Sequence, residues 1–310
     1  MVECWLSLKS GYATMTLIPV TIGIAAHNEE ANIGKLLQRI LGQKLVTVNP
    51  TQIIVVASGC TDRTEEIVSE YAAGDKRIRL LSQETREGKA SAINLILRQQ
   101  TESVVVISSA DLLPDEHAIE RLAAPFSDSE LGMTSSRPIP VNDRNTFMGF
   151  AAHLLWDLHH DVNLIGFKAG EMIAFRKIFE RIPYQTSVDE ASIEFVIRGQ
   201  GYGVKYVADA IVYNKGPDTV SDFLRQRRRI YAGHLDIKQL LGYSVSTMRS
   251  TTLLKLLLRR LSWRPKEFVW TWGVVGLEIY GRLLGTRDFK NRRNHTVWEI
   301  AKTTKELERS

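Results

Sequence analysis

Cysteine is scarce in this chain: its 310 residues hold only Cys4 and Cys60, too few and too far apart for a disulfide scaffold or a thiolate metal site. A reducing compartment, the cytoplasm, is therefore expected. Long apolar runs are lacking as well. A membrane span needs roughly 20 apolar residues, whereas the run from Leu17 to Ala26 is too short and the stretch from Phe268 to Gly285 is broken by Glu278 and Arg282. No basic, then apolar, then small-residue pattern opens the sequence, so a cleaved signal peptide is not expected, and residues 1–15 read as an N-terminal extension. An internal repeat, a low-complexity linker, the Gly-x-x-x-x-Gly-Lys-Ser/Thr phosphate loop and any Asp-x-Asp pair are all missing.

What remains is a globular composition, 44% hydrophobic and 24% charged, enough to bury one large core or two modest ones. The formal charge of +5 hides an asymmetry: residues 221–310 carry 19 Lys and Arg against 8 Asp and Glu, leaving 21 against 27 before them. A basic tail implies an anionic partner, whether substrate phosphates, an acidic membrane surface or nucleic acid.

Apolar strands alternate with helical patterns along the first third. Ile18–Ala26 is β-branched and ends at His27-Asn28-Glu29-Glu30, after which Ile33, Leu36, Leu37 and Ile40 recur at helical spacing. The unit repeats with a strand at 52–57 and a helix from Thr64, then a strand at 77–82 and a helix at 90–98, then a strand at 104–108. Such alternation predicts a parallel sheet covered on both faces, with ligands at the carboxyl ends of the strands. Beyond Pro125 the spacing predicts a turn at Arg137-Pro138-Ile139-Pro140, a helix over Phe147–Asp161, a strand over Ala169–Phe175 and a helix with Arg176 and Ile178. It then predicts a helix over Ala191–Arg198 and a strand over Val204–Val207, with a helical extension starting near Val220.

Several polar constellations sit at those loops. Asp111 stands just past a strand end, where a carboxylate binds a hard divalent cation or simply caps a loop, as Asp115 would cap a helix. Gly88-Lys89 opens a helix, a place for phosphate or an ordinary helix start. Asp189-Glu190 precedes a helix, as a general base or as partners of the helix dipole. Four arginines between Arg225 and Arg229 offer forked donors to a diphosphate or form a solvated face, and helical geometry lets at most two or three reach one ligand. The aromatic stretch Phe268–Gly285, flanked by Arg259, Arg260, Arg264, Lys266, Arg287 and Lys290, suits a membrane interface with Trp270, Trp272 and Tyr280 at headgroup depth; packing on the domain or across a dimer is the alternative.

In order, these pieces resemble a family 2 glycosyltransferase, whose fold is the GT-A nucleotide-sugar domain, from about Val20 to His234. Ala26-His27-Asn28-Glu29-Glu30 resembles the family's opening Pro-x-Tyr-Asn-Glu loop, with Ala for Pro and His for Tyr. Ile53–Thr64 resembles its nucleotide-binding strand and loop, with Gly59, Thr61, Asp62 and Thr64 in place but Ala57 and Ser58 where two acids usually stand, so the donor base is left unspecified. Gly88-Lys89 through Asn94 is similar to the segment that follows. Ser109-Ala110-Asp111 aligns with the Asp-x-Asp metal motif and keeps only its last acid, which makes Asp115 and His234 candidates to help Asp111. Gly170–Arg176 resembles the acceptor-side strand, Glu190 falls on the catalytic base beside Asp189, and Gln226-Arg227-Arg228-Arg229-Ile230 resembles the Gln-x-x-Arg-Trp segment of processive members.

The resemblance implies a mostly parallel Rossmann-like α/β sheet with helices on both faces, spanning 16–235 with a donor half to about 125 and an acceptor half beyond, and a basic, aromatic helical extension over 236–310. It implies donor binding by Ala26, His27, Asn28, Glu29, Ala57, Ser58, Gly59, Asp62, Gly88, Lys89, Ser109, Ala110 and Asp111. Gly170, Glu171, Gln226, Arg228 and Arg229 would serve the diphosphate or acceptor. Glu190 with Asp189 would be catalytic, and Mg or Mn would sit at Asp111 and His234. The activity implied is inverting transfer from a nucleoside diphosphate sugar to a glycan, lipid-linked or polyprenyl phosphate acceptor, at the cytoplasmic membrane face; no nucleic acid is expected. A degenerate sugar-nucleotide-binding scaffold and a nucleotidyltransferase are the rival readings.

Overall fold

The computed structural model describes residues 17–184, 186–243 and 250–293, with residues 295, 304 and 307. The N-terminal extension expected over 1–15, including Cys4, lies outside the described residues. Strands β1 (Ile18–Ala26), β2 (Val48–Ser58), β3 (Ile78–Gln83) and β4 (Val104–Ser109) alternate with helices α1 (Ile33–Leu41), α2 (Thr64–Gly74) and α3 (Lys89–Gln99). The four strands pair in parallel in the order β3-β2-β1-β4. Their side chains alternate between two cores: Val20, Ile22 and Ile24 of β1 meet Ile33, Leu36 and Leu37 of α1, while Ile54, Val56, Val105 and Ile107 meet Ile93, Ile96 and Leu97 of α3. Burial on both faces is why these strands read as unbroken apolar runs.

The chain then adds β5 (Leu113–Pro114), α4 (Ala118–Ala123), β6 (Leu131–Pro140), α5 (Phe147–Ile165), β7 (Ile173–Arg176), α6 (Asp189–Gly199) and β8 (Gly203–Asn214). All eight strands form one sheet, β3-β2-β1-β4-β7-β6-β8-β5, in which β7 is antiparallel to both neighbours. The donor and acceptor halves expected from sequence thus share a sheet.

Two local expectations fail here. The turn expected at Arg137–Pro140 is the end of β6, paired in parallel with β8. Its prolines fit because β7 pairs only with Met133–Ser135, so that flank of β6 needs no N–H at Pro138 or Pro140. The helix expected around Arg176 and Ile178 is absent: Arg176 ends β7, and its guanidinium donates to the carbonyls of Leu131, Phe126 and Asp128 at 2.8, 2.9 and 2.8 Å.

Three helices follow: α7 (Val220–Leu241), α8 (Ser250–Arg259) and α9 (Pro265–Lys290). The junction expected near residue 235 falls inside α7. Helix α9 lies against α7 through two glycines: a Cβ at Gly281 would come 2.9 Å from Arg227 Cβ, and one at Gly285 would come 2.7 Å from the Arg228 carbonyl oxygen. Gly285→Val is therefore expected to cost about 1–3 kcal/mol by overpacking, read as a lower denaturation midpoint. Trp270, expected at headgroup depth, instead packs on Phe147 and Phe150 of α5 at ring separations of 5.8 and 5.7 Å. The opposite side of α9 leaves Val269, Trp272, Ile279, Tyr280 and Leu283 exposed. Among the described residues no helix is long and apolar enough to cross a membrane.

Candidate active site

Two loops at the carboxyl edge are stitched together. Asn28, at φ 52°, donates from Nδ2 to Thr61 Oγ1 and accepts from the Thr61 N–H, at 3.1 and 2.8 Å. The Glu29 N–H donates to Thr64 Oγ1 at 2.7 Å, and the Glu30 N–H to Asp62 Oδ2 at 3.0 Å. Gly59 takes φ 59°, and a Cβ there would strike the Arg86 nitrogen at 2.5 Å, so only glycine lets this loop close over the next. Asn28, Gly59 and Asp62 thus shape the loops, and none of them lines the cavity beneath; Ala57 is wholly buried within β2.

That cavity, ≈ 1050 Å³, is lined by Ala26, His27, Glu29, Ser58, Gly88, Lys89, Ser109, Ala110 and Asp111 on the donor side. Gly170, Glu171, Asp189, Glu190, Gln226, Arg228, Arg229 and His234 line it from the acceptor side. Most of the residues singled out in sequence therefore converge.

Its centre is an ion-pair cluster. Lys89 Nζ, at the start of α3, lies 2.7 Å from Glu190 Oε1 and 3.0 Å from Asp189 Oδ2, at the start of α6. Lys89 is thus engaged with the acids rather than turned only toward a phosphate. Burial works against its charge, but Asp189 and Glu190 outweigh this and hold the ammonium well above its usual value. Burial also opposes ionisation of Glu190, yet Lys89 prevails and keeps that carboxyl below its ordinary range; Asp189, deeper and next to the Glu190 charge, is pushed up.

Asp111 and Glu171 form the second acidic feature. Burial, then the Asp111 charge, push Glu171 up to about 7. Arg229 faces all four acids: burial pulls it down to about 10 while Glu190, Asp189, Glu171 and Asp111 pull the other way. Among the described residues no group of three or more His, Cys, Asp or Glu is placed to hold a metal. A carboxylate pair still fits a hard cation whose remaining ligands are water and substrate phosphates. Asp115 does not line the cavity; its carbonyl accepts from Gln43 and from the N–H of Ala118 at the start of α4. His234 sits among cations, where burial and the charges of Lys168, Arg227 and Arg282 lower it to about 3. The acid near Asp111 is Glu171, which carries no metal-motif signal in sequence.

Because the folded value for Glu171 lies above its unfolded one, its ionisation removes stability as pH rises between them. Glu171→Gln is expected to raise the thermal midpoint at pH 8, by on the order of 1–2 kcal/mol of stability, and to leave it unchanged near pH 4, as read by calorimetry.

The arginine run divides. Arg227 pairs with Glu278 of α9 at 2.6 Å and Arg228 with Asp288, so α9 neutralises two of them while Arg229 faces the acids. Two cations absent from the sequence expectations, Arg86 and Lys168, also line the cavity, and neither has an ion-pair partner among the described residues. Burial lowers Arg86; burial, then Arg227, bring Lys168 down to about 8.

The family profile for Glycosyl transferase family 2 matches residues 21–193. The chain belongs to that family. The chain is 24% identical over 244 residues to the poly-beta-1,6-N-acetyl-D-glucosamine synthase of Staphylococcus aureus (strain COL), covering 74% of this chain and 58% of the synthase. It is 26% identical over 228 residues to glycosyltransferase AglD of Haloferax volcanii, covering 69% of this chain and 36% of AglD. The chain thus spans little more than half the length of the synthase and about a third of AglD. In fold it is similar to the mannosyltransferase PcManGT of Pyrobaculum calidifontis, solved in complex with GDP-Man and Mn2+, with TM-score 0.57 and 19% identity over 93% of this chain and 86% of that one. The expected GT-A architecture is therefore the one observed.

Proposed function

We propose that this transferase moves a sugar from a nucleoside diphosphate sugar to a hydroxyl or phosphate acceptor with inversion at the anomeric carbon. The observation that carries the reading is Glu190, kept ionised by Lys89 at the wall between the donor-side loops and the acceptor-side helices of one cavity. Its Oε1 is held by Lys89, which leaves Oε2 to take the acceptor proton as the hydroxyl attacks and the diphosphate departs on the opposite face. Arg229 and Arg86 offset the negative charge that develops on the leaving group. Asp111 and Glu171 would hold a divalent ion, Mg or Mn, which when bound supplies further charge neutralisation at the diphosphate. The relatives support the reading: one is named for polysaccharide synthesis, and the fold neighbour holds GDP-Man and Mn2+.

The test is release of nucleoside diphosphate from a panel of UDP- and GDP-sugars, with and without Mn2+. Donor binding without turnover would favour the scaffold reading, to which Ala57, Ser58 and Ser109 point. Pyrophosphate release from a nucleoside triphosphate would favour the nucleotidyltransferase.

The exposed side of α9, with Lys266, Arg287 and Lys290, together with the segment before it, where Trp263 is 85% exposed beside Arg264 and Arg259 ends α8, supports peripheral attachment to an anionic membrane face. Sedimentation with anionic vesicles is expected to weaken with salt and to fall at least several-fold in Trp263→Ser/Trp272→Ser. Equal binding to neutral vesicles would oppose that reading.

A further inference from the structure

The cavity continues past the transfer centre into an apolar arm between α5, α8 and α9. There Leu154, Leu158, Leu257, Val274 and Val275 line it, and α8 contributes only leucines. Where polar centre meets apolar arm stand Lys168, Arg227, Arg282 and His234, with Glu278 as the acid shared by Arg227 and Arg282. Lys168 has no ion-pair partner among the described residues, so the junction carries a surplus of positive charge. Leu254 and Ile279 line the same cavity and are 51% and 55% exposed. A sugar nucleotide is polar throughout and does not account for a leucine-walled extension. A free glycan would bring hydroxyls that this arm cannot hydrogen-bond, at a desolvation cost.

We propose that the arm binds the hydrocarbon chain of an amphiphilic acceptor whose phosphate head rests at Lys168, Arg227 and Arg282, within reach of the transfer centre. This rests on the transferase reading and specifies its acceptor: an alkyl or prenyl phosphate, one chain long. The cation surplus selects an anionic head, the apolar arm selects the chain, and the continuity of the two in one cavity selects a molecule that has both.

The intact protein is titrated calorimetrically with inorganic phosphate, octyl phosphate, dodecyl phosphate and dodecyl maltoside, each below its micelle-forming concentration. Dodecyl phosphate is expected to bind at least tenfold more tightly than octyl phosphate, since each buried methylene is worth about fourfold, and inorganic phosphate most weakly. Leu254→Glu and Ile279→Glu, at positions exposed enough to leave the fold intact by circular dichroism, should each erase the chain-length gain while UDP and GDP binding persists. Lys168→Met should erase the preference for phosphate over maltoside and keep the chain-length gain. Affinity independent of chain length overturns the proposal and means that the arm is filled by this chain's own residues or by a second copy. Equal binding of inorganic and dodecyl phosphate overturns it too. Failure of the transferase reading shows separately, as no turnover of any nucleotide sugar in a protein that still binds dodecyl phosphate.

Discussion

Glu190→Gln is expected to lower the transfer rate by about 10²- to 10⁴-fold, the usual worth of a positioned general base, while donor affinity measured by titration changes little. The amide has nearly the same shape and still meets Lys89, and Asp189 remains 3.0 Å from that ammonium, so the fold keeps its buried counter-charge. Of the residues expected at the donor, only Lys89 is paired with Glu190, and the amide keeps an oxygen for that ammonium, which is why the loss should fall on turnover. Glu190→Asp keeps the proton acceptor but withdraws it by one methylene, and an intermediate rate is expected. Because Lys89 holds Glu190 below its ordinary range, the wild-type rate should persist on the acid side to below the usual carboxylate pKa. A Glu190→Gln enzyme with undiminished turnover would remove Glu190 from the mechanism.

Lys89→Met should be the most damaging single change to stability. It leaves Asp189, 2% exposed, beside Glu190 without the cation that touches both. Breaking a buried pair by removing one partner costs about 3–5 kcal/mol, and Arg229 offsets only part of that. The pH dependence follows from the sign. Without Lys89 both acids have folded values raised above their unfolded ones, so the penalty is absent below the unfolded values, grows as pH rises between the two and is full only above the folded values. Denaturation midpoints of the variant and wild type are therefore expected to diverge above neutrality and converge near pH 4. The acid limb of whatever activity remains should move upward, because Glu190 loses the charge that kept it ionised. A uniform loss of stability at every pH would mean that Lys89 acts through packing alone.

The donor half was legible because each piece of it is local. Apolar strands buried on both faces read as continuous runs, and the loop residues after them appear in order along the chain. Lys89 and Glu190 were each visible as members of ordered segments, but their contact joins residues 101 apart and depends on α3 and α6 opening on the same edge. The prolines at 138 and 140 signal a turn when read locally, and only the short reach of β7 shows why a strand tolerates them. The arginine run misleads for a related reason: Arg227 and Arg228 find partners on α9, some fifty to sixty residues away, and no spacing rule encodes that. Glu171 was read from sequence as a diphosphate or acceptor residue, and its proximity to Asp111 comes from β4 and β7 lying side by side in the sheet.

The stitched loops after β1 and β2 have a kinetic consequence. Five hydrogen bonds join Asn28, Glu29 and Glu30 to Thr61, Asp62 and Thr64, so this rim is held in shape by the chain's own groups. A preformed rim loses little conformational freedom on binding. Capture at this end of the cavity should then be limited by encounter and desolvation, not by a slow ordering of the loops, and single-phase association is the form it would take.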